Sequence, residues 1–146
     1  VELPPSLRLG AVPSRLIDIP DVADLLPIAD AGAPTFTDDR PHVWHYTQTD
    51  ANRHVNGMEY LRCMEAFGAD ALAERGHDLR MLSPARARIV YRKPCFRGER
   101  YRRLAWLRAG DPPVLAAIIR KEGDPPDARP AVAIELSFAA HAGAAA

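Results

Sequence analysis

The chain has 146 residues, of which 47% are apolar and 26% are charged, a size and balance typical of one globular domain. The 19 Lys and Arg residues equal the 19 Asp and Glu residues, so bulk charge favours neither nucleic acid nor a membrane surface as a partner. No apolar run reaches the roughly 18 residues of a spanning helix. The first residues lack the pattern of a secretory signal, so we expect a cytoplasmic protein.

The N-terminal part, residues 1–41, contains seven of the fourteen prolines. Proline removes a backbone donor and clashes with the preceding helical turn, so a long helix is excluded here. We therefore predict an extended arm over residues 1–41, lying on the surface or across a partner subunit.

Aromatic and β-branched residues follow at positions 42–49 and predict a strand. A polar turn covers residues 50–54, and a helix is predicted from about Gly57 to Arg75. Asn56 is suited to cap this helix, with Glu59 completing a capping box, and Gly76 is a typical stop.

The predicted helix has one wide apolar face. Gly68 lies on this face, where a glycine indicates close packing against a sheet. The other residues of the face are Tyr60, Leu61, Met64, Phe67, Ala71 and Leu72.

Four further strands are predicted at residues 86–93, 100–107, 114–119 and 131–138. The third is apolar on both faces and is expected to be central. The order of one strand, one helix and four strands predicts an α+β domain over residues 42–140, with an antiparallel sheet wrapped around the helix. Residues 141–146 are expected to be a disordered tail.

Three side chains with catalytic potential, Asp50, Asn52 and His54, fall within five residues just before the helix. The free amide groups and the positive dipole end of a helix start can polarise a carbonyl group. They would also stabilise an oxyanion, an effect of roughly 2.7–4 kcal/mol per donor in acyl-transfer sites. A nearby carboxylate could activate water as a base or attack directly.

The pattern D-x-N-x-H-V-N-x-x-x-Y resembles that of the hotdog acyl thioesterases, which include the acyl-ACP thioesterases and the 4-hydroxybenzoyl-CoA thioesterase group. The resemblance implies a hotdog fold, a homodimer or a dimer of dimers, and hydrolysis of an acyl-CoA or acyl-ACP thioester without a cofactor. A place in fatty acid or polyketide metabolism would follow. The positions that match are Asp50, Asn52, His54, Val55, Asn56 and Tyr60, and the first three are implied to be catalytic.

Two positions depart from the family pattern. The acyl-ACP thioesterases carry a Glu-Cys pair on the next strand, whereas this chain has Pro94 and Cys95. The loss of that glutamate shifts the role of water activation towards Asp50. Gly57 replaces a second asparagine but leaves its backbone amide available, and Glu65 is a weaker candidate for the helix carboxylate of another hotdog branch.

Five residues are predicted to bind substrate: Asn56, Gly57, Tyr60, Met64 and Cys95. The thioester carbonyl would meet the helix start, and the acyl chain would lie in a tunnel beside Met64, Phe67 and Leu72. Cys95 is expected to pack rather than to act as a nucleophile.

A basic stretch runs from Arg86 to Arg108 with only Glu99 opposing it. Either a solvated surface or recognition of an acidic carrier protein or of coenzyme A phosphates would explain it. Nucleic acid is not expected as a partner. A metal is not expected either, because His42 and His45 would point to opposite faces of a strand.

Two alternative functions stay open on the same fold. One is a dehydratase or hydratase, which pairs a histidine with a carboxylate in another arrangement. The other is a non-catalytic acyl-binding or assembly domain, for which Pro94 is the best support.

Overall fold

The computed structural model describes residues 32–108 and 110–141. The greater part of the predicted arm, residues 1–31, and residues 142–146 of the predicted tail lie outside this part. One α-helix, α1, covers Gly57–Glu74 and accompanies a six-stranded antiparallel sheet. The strands are β1 (Phe36–Thr37), β2 (His42–Val43), β3 (Leu82–Tyr91), β4 (Arg100–Arg108), β5 (Val114–Lys121) and β6 (Val132–Ala140).

The strand order is β1-β4-β5-β6-β3, and β2 also pairs with β4. β5 is therefore a central strand, as its two apolar faces predicted. All pairings are antiparallel, and β3 forms one edge of the sheet over ten residues. The predicted α+β architecture is confirmed. Among the described residues, no helix has the length and apolar character needed to cross a membrane.

Helix α1 packs its apolar stripe on the inner face of the sheet. Met64 and Leu72 are fully buried there, together with inward residues of β5 and β6. A Cβ atom added at Gly68 would lie 2.8 Å from Cδ2 of Leu115. The prediction of close packing at Gly68 is therefore confirmed, because the sheet approaches the helix too closely for a larger residue.

The outer face of the sheet carries a second, smaller apolar cluster. Trp106 belongs to this cluster, and its indole N–H donates to the carbonyl of Gly32 at 3.1 Å. The other buried members are Val90, Ala116, Ile118 and Ala133.

The prediction of one strand over residues 42–49 is wrong beyond Val43. Only His42 and Val43 pair with β4, and a 3₁₀ turn follows at Tyr46–Gln48. The reason is local: the side chain of Gln48 accepts the N–H of His45 at 2.9 Å, which closes the turn. Trp44 is buried and stacks on Tyr101, with 4.1 Å between ring centroids, so it anchors the start of the turn.

The sheet also begins earlier than the predicted domain boundary at residue 42, because Phe36 and Thr37 pair with β4. β3 likewise begins at Leu82 rather than at Arg86. These extensions arise from pairing with distant strands, which a local pattern does not contain.

The start of α1 is capped as predicted, but the capping box is wrong. The Asn56 side chain accepts the N–H of Met58 at 2.9 Å. Glu59 does not reach back to the cap, because its carboxylate instead pairs with Arg62 one turn further along the helix. Gly76, at φ 82°, follows the last turn, which fits the expected stop.

Candidate active site

The loop from Asp50 to His54 is a closed unit held by its own hydrogen bonds. Oδ1 of Asp50 accepts the backbone N–H of His54 at 2.9 Å, and the backbone N–H of Asp50 donates to the His54 carbonyl at 2.9 Å. Arg53 occupies the left-handed region at φ 67° and donates its N–H to the Asp50 carbonyl at 3.0 Å. Oδ2 of Asp50 has no hydrogen-bond partner among the described residues and is the oxygen available for chemistry.

His54 is fixed by the strand-like segment that follows β3. It forms a β-bridge with Phe96, and the two rings meet edge to face with 4.8 Å between centroids. Both residues are exposed. The aromatic contact fixes the plane of the imidazole and leaves its polar edge open, which suits a group that positions water or a carbonyl.

Asn52 lies at the exposed tip of the same loop. Within residues 32–108 and 110–141 its side chain makes no hydrogen bond. It is therefore not needed to stabilise the turn, and its amide is free to bind a ligand.

The helix start lies directly beside this loop. The Asn56 N–H donates to the Gln48 carbonyl at 2.9 Å, and its side chain caps Met58. The amide of Gly57 is the first of the helix and donates to no acceptor in the described part of the chain. A hydrogen-bond donor is therefore aimed out of the helix end, as polarisation of a carbonyl requires.

A pocket of about 380 Å³ opens at this helix start. Such a volume falls within the range of small-molecule sites. The phenol of Tyr91 crosses one side of the pocket and donates to the Gly57 carbonyl at 3.2 Å. Asp50 and Asn52 lie on the adjoining loop rather than in the pocket wall. The lining residues are His54, Val55, Gly57, Tyr60, Tyr91, Arg92, Lys93 and Pro94.

Tyr60 forms the floor of the pocket. Its hydroxyl accepts the N–H of Cys95 at 3.0 Å, and the residue is only 4% exposed. Burial raises the pKa of Tyr60, so the phenol stays protonated and serves as a wall and a support for the strand after β3.

Two predicted substrate-binding residues are placed elsewhere. Met64 is fully buried between helix and sheet, and it does not line the pocket. Cys95 is also fully buried, and its carbonyl accepts the N–H of Val55 at 2.9 Å. Burial raises the pKa of the Cys95 thiol, which disfavours the thiolate that a nucleophile would need.

The residues predicted to line a tunnel beside the helix do not line this pocket in the described part of the chain. Phe67 and Leu72 are buried in the same core cluster as Met64. The periodicity identified the buried face of α1, but packing against β5 and β6 fills the space that a tunnel would need.

Pro94 and Glu65 take different places around the site. Pro94 is exposed in the pocket wall, where it offers an apolar surface and no carboxylate. Glu65 is half-buried on α1, and no ion pair or hydrogen bond of its carboxylate is found among the described residues.

The basic stretch is largely neutralised across the sheet. Arg103 forms a half-buried ion pair with Asp38 at 2.9 Å, and Lys93 pairs with Asp124 at 3.1 Å. Carboxylates from neighbouring segments therefore offset much of this positive charge among the described residues. Arg88 and Arg108 both pair with Glu135, and Arg100 pairs with Glu122.

No cluster of three or more His, Cys, Asp or Glu residues suited to a metal ion occurs in residues 32–108 and 110–141. His42 instead contacts Asp38 at 3.2 Å and Arg103 at 3.0 Å. It is therefore part of a structural ion-pair network rather than of the site.

Sequence reasoning missed Tyr91 and Lys93, which line the pocket from the end of β3. The alternation of Ala87, Ile89 and Tyr91 in the sequence places Tyr91 on the same face of the strand as Ile89. Ile89 packs against the core cluster of the helix. The sequence therefore indicated that Tyr91 faces the helix, but not that it lines a pocket.

Comparison of folds identifies the architecture. No family profile and no curated protein sequence matches the chain. A gentisyl-coenzyme A thioesterase shares 14% identity and a TM-score of 0.59 over 72% of this chain and 87% of its own. A Staphylococcus aureus protein solved with CoA shares 16% identity and a TM-score of 0.61 over 70% of this chain and 67% of its own.

A plant relative by fold is the 12:0-ACP thioesterase of Umbellularia californica. It shares 15% identity and a TM-score of 0.59 over 74% of this chain, which spans 36% of that enzyme. The sheet, the single long helix and these similarities together show that the chain has the hotdog fold, as the sequence motif implied.

Proposed function

We propose that the protein hydrolyses an acyl thioester. The observation that carries this proposal is that the closed loop containing Asp50 lies beside the start of α1, where the Gly57 amide donates to no described acceptor. A carboxylate oxygen that has no partner among the described residues therefore precedes a donor that polarises a carbonyl, beside a pocket of ligand size.

The reaction would follow from this arrangement. The thioester carbonyl oxygen accepts the Gly57 N–H, and the dipole of α1 favours the negative charge that develops there. Oδ2 of Asp50 removes a proton from water, the water oxygen attacks the carbonyl carbon, and the C–S bond breaks. The thiolate takes the proton, which leaves a free acid and a thiol. His54 and Asn52 orient the water and the carbonyl.

Asp50 as a base is favoured over Asp50 as a nucleophile. Its Oδ1 atom is held by the His54 N–H, so the carboxylate is fixed on the loop rather than inside the pocket. A water molecule can bridge from Oδ2 to the pocket, whereas direct attack would need the carboxylate to leave its hydrogen bond.

The thiol part of the substrate is proposed to be coenzyme A or the phosphopantetheine of a carrier protein. Lys93, which pairs with Asp124, and Arg92 both line the pocket, and basic side chains there suit the phosphates that both groups carry. The structures of similar fold include proteins described for each kind of thioester.

The active unit is proposed to be a homodimer formed through β3. In the described chain this ten-residue edge strand pairs only with β6, and an unprotected edge favours pairing with another strand. Antiparallel pairing with a second β3 would bring the partner's end of the strand near the pocket. Leu79 and Met81, each 40% exposed, lie just before β3 and would then be covered.

The test is release of free thiol from acyl-CoA and acyl-ACP substrates by the intact chain. We expect turnover of at least one thioester, with no consumption of 3-hydroxyacyl or enoyl substrates by loss or addition of water. Heat protection by acyl thioesters without any thiol release would contradict hydrolysis and favour the acyl-binding domain.

A further inference from the structure

Tyr91, the last residue of the edge strand β3, makes specific contacts with its ring and is exposed at the same time. Its ring leaves β3 on the helix side, meets Tyr60 edge to face with 5.6 Å between centroids, and donates its O–H to the Gly57 carbonyl. Yet 53% of the residue is exposed. One face of the ring is therefore available to a molecule in the pocket.

Gly57 is matched to this ring. A Cβ atom at position 57 would lie 3.3 Å from the Tyr91 hydroxyl oxygen and 3.8 Å from its Cζ atom. Gly57 is not among the glycines with positive φ, so its backbone does not require glycine. The missing side chain is instead explained by the room that the phenol needs over the helix start.

Beneath the ring, the pocket has a closed floor. Tyr60 and Val55 line the pocket and are 4% and 7% exposed, whereas the fully buried Met64 and Cys95 do not line it. Among the described residues, the pocket of about 380 Å³ therefore ends at Tyr60 and Val55 instead of reaching the core residues behind the helix face.

We propose that Tyr91, admitted by Gly57, is a specificity-determining residue that restricts the site to compact acyl groups, either short chains or a single ring. This proposal rests on the proposed function. The ring closes the pocket laterally and Tyr60 closes it below, so a long acyl chain has no apolar path and would leave its methylene groups in water.

The experiment measures kcat/KM of the intact chain for butyryl-CoA, benzoyl-CoA and lauroyl-CoA. We expect the wild type to favour butyryl and benzoyl over lauroyl groups. Tyr91→Ala should reduce that preference by about tenfold, because one wall of the pocket is removed. Tyr91→Phe keeps the wall and should keep the preference.

Tyr46→Ala is the matched control, because Tyr46 is a tyrosine that is 73% exposed and does not line the pocket. It should leave the preference unchanged. A Tyr91→Ala protein whose rates fall or rise equally for all three substrates overturns the proposal, whatever its overall activity.

Gly57→Ala gives a second, independent readout. It should displace the Tyr91 ring and alter the acyl preference in the wild-type background, but have little effect on the preference when Tyr91 is already alanine. A double-mutant cycle with no coupling between the two positions would contradict the match between glycine and ring.

Failure of hydrolysis is separated from failure of this proposal by binding. Hydrolysis-resistant acyl thioether analogues of the same three CoA esters are tested for heat protection. Binding in the predicted order without thiol release contradicts the proposed function alone. Equal protection by the three analogues, or protection by none, overturns the specificity proposal.

Discussion

Asp50 has a structural and a proposed chemical role that involve different oxygen atoms. Oδ1 closes the loop through the His54 N–H, while Oδ2 is left for water. The same loop contains the left-handed Arg53, so the backbone tolerates an unfavourable conformation that the aspartate hydrogen bonds help to maintain.

This division predicts a difference between two substitutions. Asp50→Asn keeps the acceptor oxygen for the His54 N–H and should leave the free energy of unfolding nearly unchanged. Asp50→Ala removes the acceptor and should lower the free energy of unfolding by about 0.5–1.5 kcal/mol. Denaturant titration of both variants checks this, and equal stabilities would show that the loop hydrogen bond does not stabilise the fold.

At the residue scale, the motif could be predicted from the sequence because residue identity and spacing suffice to define it. Met64 and Cys95 were predicted to bind substrate but do not line the pocket, because periodicity shows which way a side chain points, but not whether the space beyond it is filled. Tyr91 depends on a contact with Gly57, 34 positions away, which no local pattern contains.

At the scale of single elements, α1 approaches β5 closely at Gly68. Gly68→Val should lower the free energy of unfolding by about 1–3 kcal/mol, since the new side chain overlaps Leu115 in a packed interior. Thermal unfolding measures the change. Ala66→Val, at an exposed position of the same helix, is the control and should have a much smaller effect.

The segment before β2 is held to β4 by Asp38. Its carboxylate pairs with the Arg103 guanidinium, which also donates to the Cys63 carbonyl of α1 at 3.0 Å and lies over the Phe67 ring. Burial alone would raise the pKa of Asp38, but the hydrogen bonds and charge of Arg103 outweigh it and lower that pKa.

This network predicts a stability that depends on pH. The folded-state pKa of Asp38 lies below its usual value of 3.8, so its contribution is fully present above that pH and is lost as pH falls through the folded pKa. Asp38→Asn should lower the free energy of unfolding by about 1.5–3 kcal/mol at neutral pH, because the half-buried Arg103 loses its charged partner.

Chemical denaturation of the wild type and of Asp38→Asn between pH 7 and pH 2 measures this contribution. The difference in unfolding free energy between the two proteins should narrow as the solution becomes acidic. A difference that stays constant across this range would contradict the role of the ionised carboxylate.

At the scale of elements, the helix and the four long strands could be predicted because their patterns extend over many residues. The short strands β1 and β2 could not, because two residues carry no periodicity and their pairing with β4 is set by tertiary contacts. The turn at Tyr46–Gln48 could not be predicted either, because its aromatic sequence is equally typical of a strand.

At the scale of the whole molecule, the proposed dimer makes a further prediction. Replacing both Leu79 and Met81 by aspartate should shift the protein from dimer to monomer and lower thioester turnover. The physical reason is that the two aspartates would put like charges from both subunits into an interface that apolar side chains otherwise fill. Sedimentation velocity over a range of concentrations measures the assembly.

Val43→Asp serves as the control, since Val43 is 37% exposed on another edge of the sheet. It should remain dimeric. A wild-type protein that sediments as a monomer at all concentrations, or a doubly substituted protein that remains dimeric, would contradict assembly through β3.

The central claim is that Oδ2 of Asp50 activates water beside the helix start. Its most direct test is the rate of thiol release by Asp50→Asn, with the thioester that the wild type hydrolyses fastest, after denaturation has shown equal stability. We predict that kcat falls by about 10²–10⁴-fold, the usual contribution of a general base, with little change in KM. An Asp50→Asn protein that turns over at the wild-type rate would contradict the account.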